Sequence, residues 1–340
     1  MIGTARFLCV IGAMAFCLAV TTGQSSARNV PGSAGAAIQQ IYENATTDIA
    51  DGIIAALNAP SGGPVIGGVS RDQWGTVTFS SFGGSIETDS GLIVGASTRL
   101  QTFDITDEIE DGTLFTGSFL LGQRLDAGPT VFAALIYEGL EANTPFNSGT
   151  VENTGLGAAF GVTADTPTGL VLSAMVGGLA LDYDVTRSAG AVAGSFAAER
   201  WFVDLRAQHD AALRNTRLEY DFGLRYVEQT DDAYTETGVG AGAVPSFTYS
   251  STATFFNMRT FLGGMDRASP YVQSNYRYVF SNDAVPPAGD PAFAEGLRFY
   301  LGLGVEGQTN DVGYDFGLGT HFTDDGYTGL AAQLSVNVQF

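Results

Sequence analysis

The strongest constraint in this sequence is a two-residue alternation that dominates from Trp74 to the C-terminus. Between Leu330 and Phe340, every second residue is apolar and the residues between them are small or polar. A period of two is that of a β-strand, because successive side chains point to opposite faces of a sheet. The alternation therefore predicts a large all-β fold. The same pattern occurs in residues 216–227, 297–306 and 312–321.

The polar face of these strands carries Gly, Asn and Gln with scattered Arg and Asp. A soluble sandwich would present Lys and Glu there, yet the chain has no Lys and only 15% charged residues, against about 25% in average domains. A polar interior and an apolar exterior are typical of outer-membrane barrels, and a closed sheet satisfies strand backbones in lipid. We therefore predict a closed antiparallel transmembrane β-barrel.

The N-terminal 27 residues have the pattern of a secretory signal peptide. Arg6 precedes an apolar run from Phe7 to Val20, and Ser25, Ser26 and Ala27 supply small residues for cleavage. An uncleaved anchor is the alternative, although the run is shorter than the ~20 residues of a spanning helix. Both Cys residues lie in this run, so the mature chain is expected to contain neither a thiol nor a disulfide.

Three regions follow from the patterns. The signal peptide (1–27) precedes an N-terminal helix and linker (28–89), in which residues 34–58 form an amphipathic helix. The barrel (90–340) has about twelve strands. Residues 74–82 also resemble a strand, but they would bring the count to thirteen, and bacterial single-chain barrels have even numbers. We therefore expect residues 74–82 outside the barrel, with fourteen strands as the alternative.

The lengths of the connections alternate along the predicted strands. Short connections are typical of the periplasmic side and long ones of the outside, so both ends of the barrel are expected in the periplasm. Aromatic residues near strand ends would form interfacial girdles. The candidates are Tyr137, Trp201, Tyr226, Tyr271, Tyr314 and Tyr327.

Twelve charged residues occupy the polar phase of their strands and are predicted to face the lumen. Arginine and carboxylate groups across a lumen can pair, and the guanidinium fork favours bidentate contacts. One interpretation is a water-filled charged passage, and the other is a network that braces the wall around the helix. The residues are Arg99, Arg200, Asp204, Arg206, Glu219, Asp221, Arg225, Arg259, Arg277, Arg298, Glu306 and Asp315.

The sequence contains only weak matches to cofactor-binding, catalytic and metal-binding motifs. Residues 302–307 match a dinucleotide fingerprint as a string, but they lie inside an alternating strand, so we predict no cofactor. His209 beside Asp210, and His321 near Asp324 and Asp325, lack a nucleophile elbow, so we predict no enzyme. The acidic residues 104–111 lack the spacing of a calcium loop, and no metal site is predicted. The net charge of −21 argues against nucleic acid as a partner.

Three features resemble the autotransporter translocator family: the helix at 34–58, the stretch Leu218–Tyr226 followed by Tyr234–Gly238, and the terminal Val336–Phe340. The resemblance implies a twelve-stranded barrel with a helix in its lumen. It also implies that Phe340 belongs to a signal read by the barrel-assembly machinery. Only residues 28–33 precede the helix, so we expect no sizeable passenger, or a cargo encoded elsewhere.

These observations predict an outer-membrane protein whose partners are membrane lipid and, during biogenesis, the assembly machinery. The first hypothesis is a translocator-like or surface structural barrel occluded by its own helix. An open, porin-like channel for small solutes is the second. An adhesin that acts through residues 139–152 and 228–247 is the third.

Overall fold

The structure, a computed structural model, describes residues 29–58, 65–66, 70–71, 77–103, 110–126, 128–213, 216–262, 268–282, 296–309, 312–323 and 326–338. The predicted signal peptide, most of the acidic stretch 104–111 and the predicted assembly signal Phe340 lie outside these residues. Within the described ranges, no helix has the length and apolarity needed to cross a bilayer.

One helix, α1 (Gly35–Asn58), precedes the strands and ends shortly before Pro60, which is a typical helix stop. A 3₁₀ turn, Pro145–Asn147, connects two of the strands. The strands in chain order are β1 (Val65–Ile66), β2 (Ser70–Arg71), β3 (Val77–Glu87), β4 (Leu92–Phe103), β5 (Glu110–Arg124), β6 (Thr130–Thr144), β7 (Gly149–Asp165), β8 (Leu170–Arg187), β9 (Val192–Leu213), β10 (Thr216–Asp231), β11 (Tyr234–Thr235), β12 (Thr237–Gly238), β13 (Ala243–Val244), β14 (Phe247–Leu262), β15 (Ala268–Asn282), β16 (Gly296–Thr309), β17 (Val312–Thr323) and β18 (Gly326–Val338).

The long strands pair antiparallel with their neighbours in chain order from β3 to β18, with β10 next to β14. The two short strands join the ends of this sheet. Val65 of β1 lies opposite Gly83 of β3 and also opposite Asn337 of β18. Arg71 of β2 likewise pairs with both β3 and β18. The pairing therefore returns to its starting point, and the predicted antiparallel β-barrel is confirmed.

The strand count differs from the sequence prediction. All twelve predicted strands are present as β4–β10 and β14–β18, but residues 77–87 form a further strand that pairs with β4, so their expected exclusion is wrong. The sheet thus begins before residue 90, inside the region predicted as helix and linker. Strands β1 and β2 together occupy a fourteenth position between β3 and β18 and restore the even number. This strand was missed because its paired segments are two residues long and lie among four Gly and two Pro in residues 60–70.

Burial follows the predicted alternation. In β6, Phe132 and Ile136 are buried toward the interior, whereas Leu135 and Tyr137 are exposed on the outside. In β8, the exposed apolar side chains end at Ala180, and the outward positions beyond it are Asp182 and Asp184. Carboxylates facing outward mark the limit of the apolar belt, because charges are costly in hydrocarbon.

The predicted aromatic girdle is present in part. The Trp201 indole donates to Glu228 at 2.9 Å, and the Tyr226 hydroxyl donates to the same carboxylate at 2.7 Å. Tyr137 is also exposed on the outer face. Tyr271 is a correction, because it is buried in the interior and its hydroxyl donates to Asp315 at 2.6 Å. The side chain of Tyr327 lies outside the described residues.

Candidate functional site in the barrel lumen

Helix α1 lies inside the ring of strands. Its apolar side chains are nearly inaccessible and form one buried cluster with inward side chains of the strands, including Ile93, Leu120 and Phe132. It runs closest to β3, β4 and β5, which we call the near wall. On the opposite side, β9, β10 and β14–β17 form the far wall, which α1 meets mainly through arginine side chains. The helix therefore lies off-centre in the lumen. The buried apolar residues of α1 include Ile38, Ile41, Ala45, Ile49 and Ile53.

Small side chains allow the close approach at the near wall. A Cβ atom added at Gly52 would lie 2.6 Å from the Ser97 hydroxyl of β4, so the helix and the strand are already in contact there. Ser97 also shares a hydrogen bond of 2.7 Å with Ser118 of β5. Asp48 accepts hydrogen bonds from Arg99 and Gln101 and is only 5% exposed. Packing and one buried carboxylate thus hold α1 against β4.

Arginine residues connect α1 to the far wall. Asp51 accepts hydrogen bonds from Arg206 at 2.5 Å and from Arg225 at 3.2 Å. Both guanidinium groups also bind Asp204, so two carboxylates and two arginines form one network. Because Asp51 comes from the helix and the other three residues from the wall, the network fixes the rotation of α1.

A second contact with the far wall lies about two helical turns toward the N-terminus of α1. Glu43 forms an ion pair with Arg277 and accepts a hydrogen bond from Ser251 at 3.3 Å. Beside it, the Tyr42 ring packs edge-on against Tyr249, with a centroid distance of 4.9 Å. Together these contacts close the space between α1 and the far wall at this level.

A fully buried ion pair crosses the interior between β9 and β6. Arg200 donates to Glu138 at 2.5 Å and 3.1 Å, and these side chains are 1% and 0% exposed. Arg200 was predicted from its strand phase, whereas its partner Glu138 was not. Glu138 occupies an inward position of β6 among apolar residues, and that phase alone could have identified it. The pair joins strands that are separated by β7 and β8.

The remaining predicted lumen charges, except Arg298, lie toward the C-terminal end of α1. Arg259 pairs with Asp315 at 2.7 Å, and Glu306 lies 3.0 Å from Arg217 and 3.5 Å from Arg259. Glu219 forms an ion pair with Arg217, and Asp221 accepts from Asn257 at 3.0 Å. Arg298 lines a cavity beside α1. All twelve predicted side chains therefore border or brace the lumen.

The described connections have four or five residues at both ends of the barrel, except the longer stretch 232–246, and the predicted long connection 139–152 is mostly strand and leaves only residues 145–148 between β6 and β7. We call the end with residues 88–91, 125–129 and 166–169 the turn end, and the end with 145–148, 188–191 and 232–246 the loop end. Asn58, the last residue of α1, donates to Gln208 near the turn end at 2.7 Å. The chain therefore runs through the lumen with its N-terminal side at the loop end.

A polar clamp holds the segment before α1 at the loop end. Arg187 donates to Glu236 at 2.7 Å and to the Asn29 side chain at 3.0 Å. Glu236 also accepts from the Gly32 backbone at 3.3 Å. Tyr234 stacks on Phe196 nearby, and burial, with the neighbouring Glu236 charge, raises the pKa of the Tyr234 phenol. Tyr234 and Glu236 belong to the stretch Tyr234–Gly238 that carried the family resemblance, but none of these contacts was predicted, since they depend on a loop folding over the lumen.

Two larger cavities of about 570 and 770 Å³ remain beside and below α1, and a small one of about 80 Å³ lies between α1 and the near wall. Both larger cavities are lined by Asn58, Gln208, Asp221, Asn257 and Asn275, so they adjoin each other. The cavity of about 570 Å³ follows the far wall along α1, and we call it the crevice. The largest cavity lies at the turn end. The helix consequently fills part of the lumen and leaves space along the arginines.

The two histidines lie in separate parts of the structure. His209 Nδ1 is 2.8 Å from the Gly169 carbonyl oxygen at the turn end. His321 lies beside the Tyr300 ring in the lumen, 4.8 Å between ring centres. Asp324 and Asp325 lie outside the described residues. Among the residues that are described, no three His, Cys, Asp or Glu side chains converge as a metal site.

Comparison with known proteins gives a consistent result for the fold. The NalP autotransporter translocator domain of Neisseria meningitidis matches with a TM-score of 0.54 and 15% identity, over 92% of this chain and 99% of that one. The β-domain of the Bordetella autotransporter BrkA matches with a TM-score of 0.51 and 13% identity, over 74% and 99%. The CymD monoaromatic hydrocarbon channel matches with a TM-score of 0.53 and 13% identity, over 93% and 98%. No curated protein matches the sequence.

A closed antiparallel sheet with an apolar exterior, a charged interior and an internal helix defines an outer-membrane β-barrel. The autotransporter β-domain family model matches residues 92–333. The chain therefore belongs to the autotransporter β-domain family, as its resemblance predicted, and its location is the outer membrane.

Proposed function

We propose that α1 occludes the lumen of this autotransporter-type barrel, and that the protein is a translocator-like or structural component of the outer-membrane surface. The turn end faces the periplasm and the loop end faces outward. The observation that carries this proposal is the double attachment of α1: Gly52 and Asp48 hold the near wall, and Asp51 and Glu43 bind arginines of the far wall.

The charge pattern supports a permanent rather than an incidental position of the helix. Helix α1 has acidic side chains but no basic residue, while the strands around it supply Arg99, Arg206, Arg225 and Arg277. A helix without these carboxylates would leave buried guanidinium groups with fewer partners, which costs stability. The helix is therefore part of the folded interior.

Other parts of the proposal concern biogenesis and partners. Residues 1–27 direct export and are removed, and residues 28–89 and 90–340 form the mature protein. Membrane lipid surrounds the barrel, and the barrel-assembly machinery reads a terminal signal that includes Phe340. We propose no enzymatic role, so His321→Ala should leave any assayed esterase or protease activity unchanged.

Single-channel conductance in planar bilayers tests the occlusion. Deleting residues 34–58 should raise the conductance strongly, because the lumen would be open. The triple variant Glu43→Gln, Asp48→Asn and Asp51→Asn keeps the whole chain and should raise conductance by loosening the helix. As a control, Glu141→Gln with Glu152→Gln changes exposed carboxylates of β6 and β7 and should leave conductance unchanged.

Folding of each variant is checked by heat-modifiable migration on gels. Deletion variants that fold and still show the conductance of the intact protein would contradict occlusion.

A second candidate function is a narrow channel for small solutes, and the crevice is the observation that favours it. High conductance of the intact protein would support this function over occlusion. The CymD structure is described as a monoaromatic hydrocarbon channel, but its likeness to this chain extends to the fold. A surface adhesin that acts through residues 139–152 and 228–247 would instead lose cell binding when the connections inside these ranges, 145–148 or 232–246, are deleted from a barrel that still folds.

A further inference from the structure

One strand departs from the apolar pattern of the outer face near the loop end. Four successive outward positions of β14 carry hydroxyl groups, whereas Tyr249, Ser251 and Ala253 between them are buried toward the lumen. The next outward residue toward the turn end is Phe256. In no other described strand do four Ser or Thr residues follow one another on the outer face. We call this run the hydroxyl strip, and it consists of Thr248, Ser250, Thr252 and Thr254.

Aromatic side chains flank the hydroxyl strip on both neighbouring strands. Tyr226 of β10 lies directly opposite Thr252, and Tyr278 of β15 lies directly opposite Thr254. Opposite side chains of an antiparallel pair have Cβ atoms about 5 Å apart. Tyr278 is 45% exposed and packs against Phe280, with 4.9 Å between the ring centres. The strip is therefore the floor of a shallow groove with aromatic sides.

The charge along this groove is acidic. Glu228 lies directly opposite Ser250 and accepts hydrogen bonds from Trp201 and Tyr226. Within the described parts of β9, β10, β14 and β15, the outer faces carry no Lys or Arg. Phosphate head groups are recognised mainly through Lys and Arg. The groove therefore suits a neutral group that both donates and accepts hydrogen bonds.

The hydroxyl strip extends into the apolar belt. The outward neighbours of Thr254 are Leu224 and Tyr278, both of which belong to the belt. Burying a hydroxyl group in hydrocarbon without a hydrogen-bond partner costs free energy, and acyl chains supply no partner. A sugar ring offers hydroxyl groups to the strip and C–H groups to the aromatic rings beside it.

We propose that the groove along β14 binds the saccharide head group of a lipid in the outer leaflet. The hydroxyl strip exchanges hydrogen bonds with the sugar hydroxyls, Glu228 accepts a further one, and Tyr226 and Tyr278 pack against the ring. The position fits a head group, because Trp201 and Tyr226 belong to the aromatic girdle at the membrane interface. The choice of leaflet rests on the proposed outward direction of the loop end, whereas the groove itself is independent of the occlusion by α1.

Lipid competition around Trp201 tests the proposal. The full-length protein, with Trp74→Phe so that Trp201 alone reports, is reconstituted in dibrominated phosphatidylcholine, which quenches tryptophan fluorescence. Digalactosyl diacylglycerol or phosphatidic acid then replaces this lipid stepwise, and the recovery of fluorescence gives the affinity of each relative to phosphatidylcholine. We expect about a tenfold preference for the digalactosyl lipid and at most about a twofold preference for phosphatidic acid.

Thr252→Val combined with Thr254→Val removes two hydroxyl groups and keeps the branched shape of the side chains. The preference for the digalactosyl lipid should fall to within about twofold of phosphatidylcholine, because hydrogen bonds to the sugar are lost. The matched control is Thr260→Val, since Thr260 faces outward on the same strand between Leu218 and Val272 and should retain the preference. Gel migration confirms that each variant is folded.

Three results would overturn the groove as a saccharide site. They are the absence of a preference in the intact protein, an equal preference for phosphatidic acid, and equal losses in the double variant and the Thr260→Val control. A highly conducting intact barrel that retains the preference would contradict occlusion alone.

Labelling of intact cells tests the leaflet separately. Val239 in the stretch 232–246 is 92% exposed at the loop end. Because the mature chain is expected to contain no Cys, Val239→Cys should react with a membrane-impermeant maleimide if the loop end faces outward. Failure to react in folded protein would overturn the assignment to the outer leaflet, whatever the lipid preference in vesicles.

Discussion

The near and far walls hold the same helix in different ways. At the near wall, Gly52 brings α1 into direct contact with Ser97, and apolar side chains of α1 pack against those of β4 and β5. At the far wall, arginine side chains reach Asp51 and Glu43 across a gap that remains partly open. Packing energy depends on close contact, whereas a long charged side chain can act across a space. The near wall therefore sets the position of α1, and the far wall sets its rotation.

The largest expected effect concerns the ion pair between Glu138 of β6 and Arg200 of β9. Strand β6 lies next to the near wall, and β9 belongs to the far wall. Glu138→Gln leaves Arg200 buried without its charged partner, and breaking such a pair typically costs about 3–5 kcal/mol. The thermal unfolding midpoint in detergent should fall accordingly. The double variant Glu138→Leu with Arg200→Met removes both charges and should lose less. A double variant less stable than Glu138→Gln would contradict this explanation.

Substitution at the near wall should have the next largest effect. Gly52→Leu places a side chain against Ser97 and should destabilise the fold by about 1–3 kcal/mol, as overpacking commonly does. Because it pushes α1 from β4, it should also raise conductance. Asn44→Leu is the control, since Asn44 lies about two turns back along α1, is only partly buried and borders the crevice. Equal changes for the two variants would mean that the near wall is not tightly packed.

At the far wall, Asp51→Asn should have little effect on stability. Asp51 is 37% exposed, and Arg206 and Arg225 keep Asp204 as a partner, so a loss of about 1 kcal/mol or less is expected. The thermal unfolding midpoint in detergent measures this change, and a loss well above this amount would show that Asp51 holds the network together.

The smallest effect is expected outside both walls, at the turn end. Arg124 and Glu87 form a surface pair at 2.8 Å with exposures of 46% and 29%. Glu87→Gln should change the unfolding midpoint by an amount that corresponds to about 0–1 kcal/mol, and high salt should remove the difference. A larger loss of stability that persists in high salt would indicate that this pair helps to hold the barrel closed and is more than an exposed surface contact.

Alternation in the sequence was sufficient to predict twelve strands and the inward phase of the charged residues. It could not identify residues 65–71, because two-residue pairings leave no periodic signal and the surrounding Gly and Pro indicate a linker. Tyr271 was misplaced for a related reason: an aromatic near a strand end suits a girdle, but the phase it shares with Gln273 directs it inward.

The partners of the charged residues depend on three-dimensional geometry. Asp51 and Arg206 are separated by 155 positions, and nothing in their local sequences specifies the contact. The acidic side chains of α1 were visible beside its apolar stripe, and the arginines were visible on their strands. Which carboxylate of α1 meets which arginine depends on the height and rotation of the helix within the barrel. These are set only in the folded protein.

The clamp of Arg187 and Glu236 on Asn29 and Gly32 has a topological consequence. A polypeptide fused ahead of Asn29 would emerge through the mouth formed by these loops, on the opposite side of the bilayer from the short hairpins. In the orientation proposed above, the same fold would display such a fusion at the cell exterior. The fusion would be attached through α1 and the residues before it, which the barrel already binds.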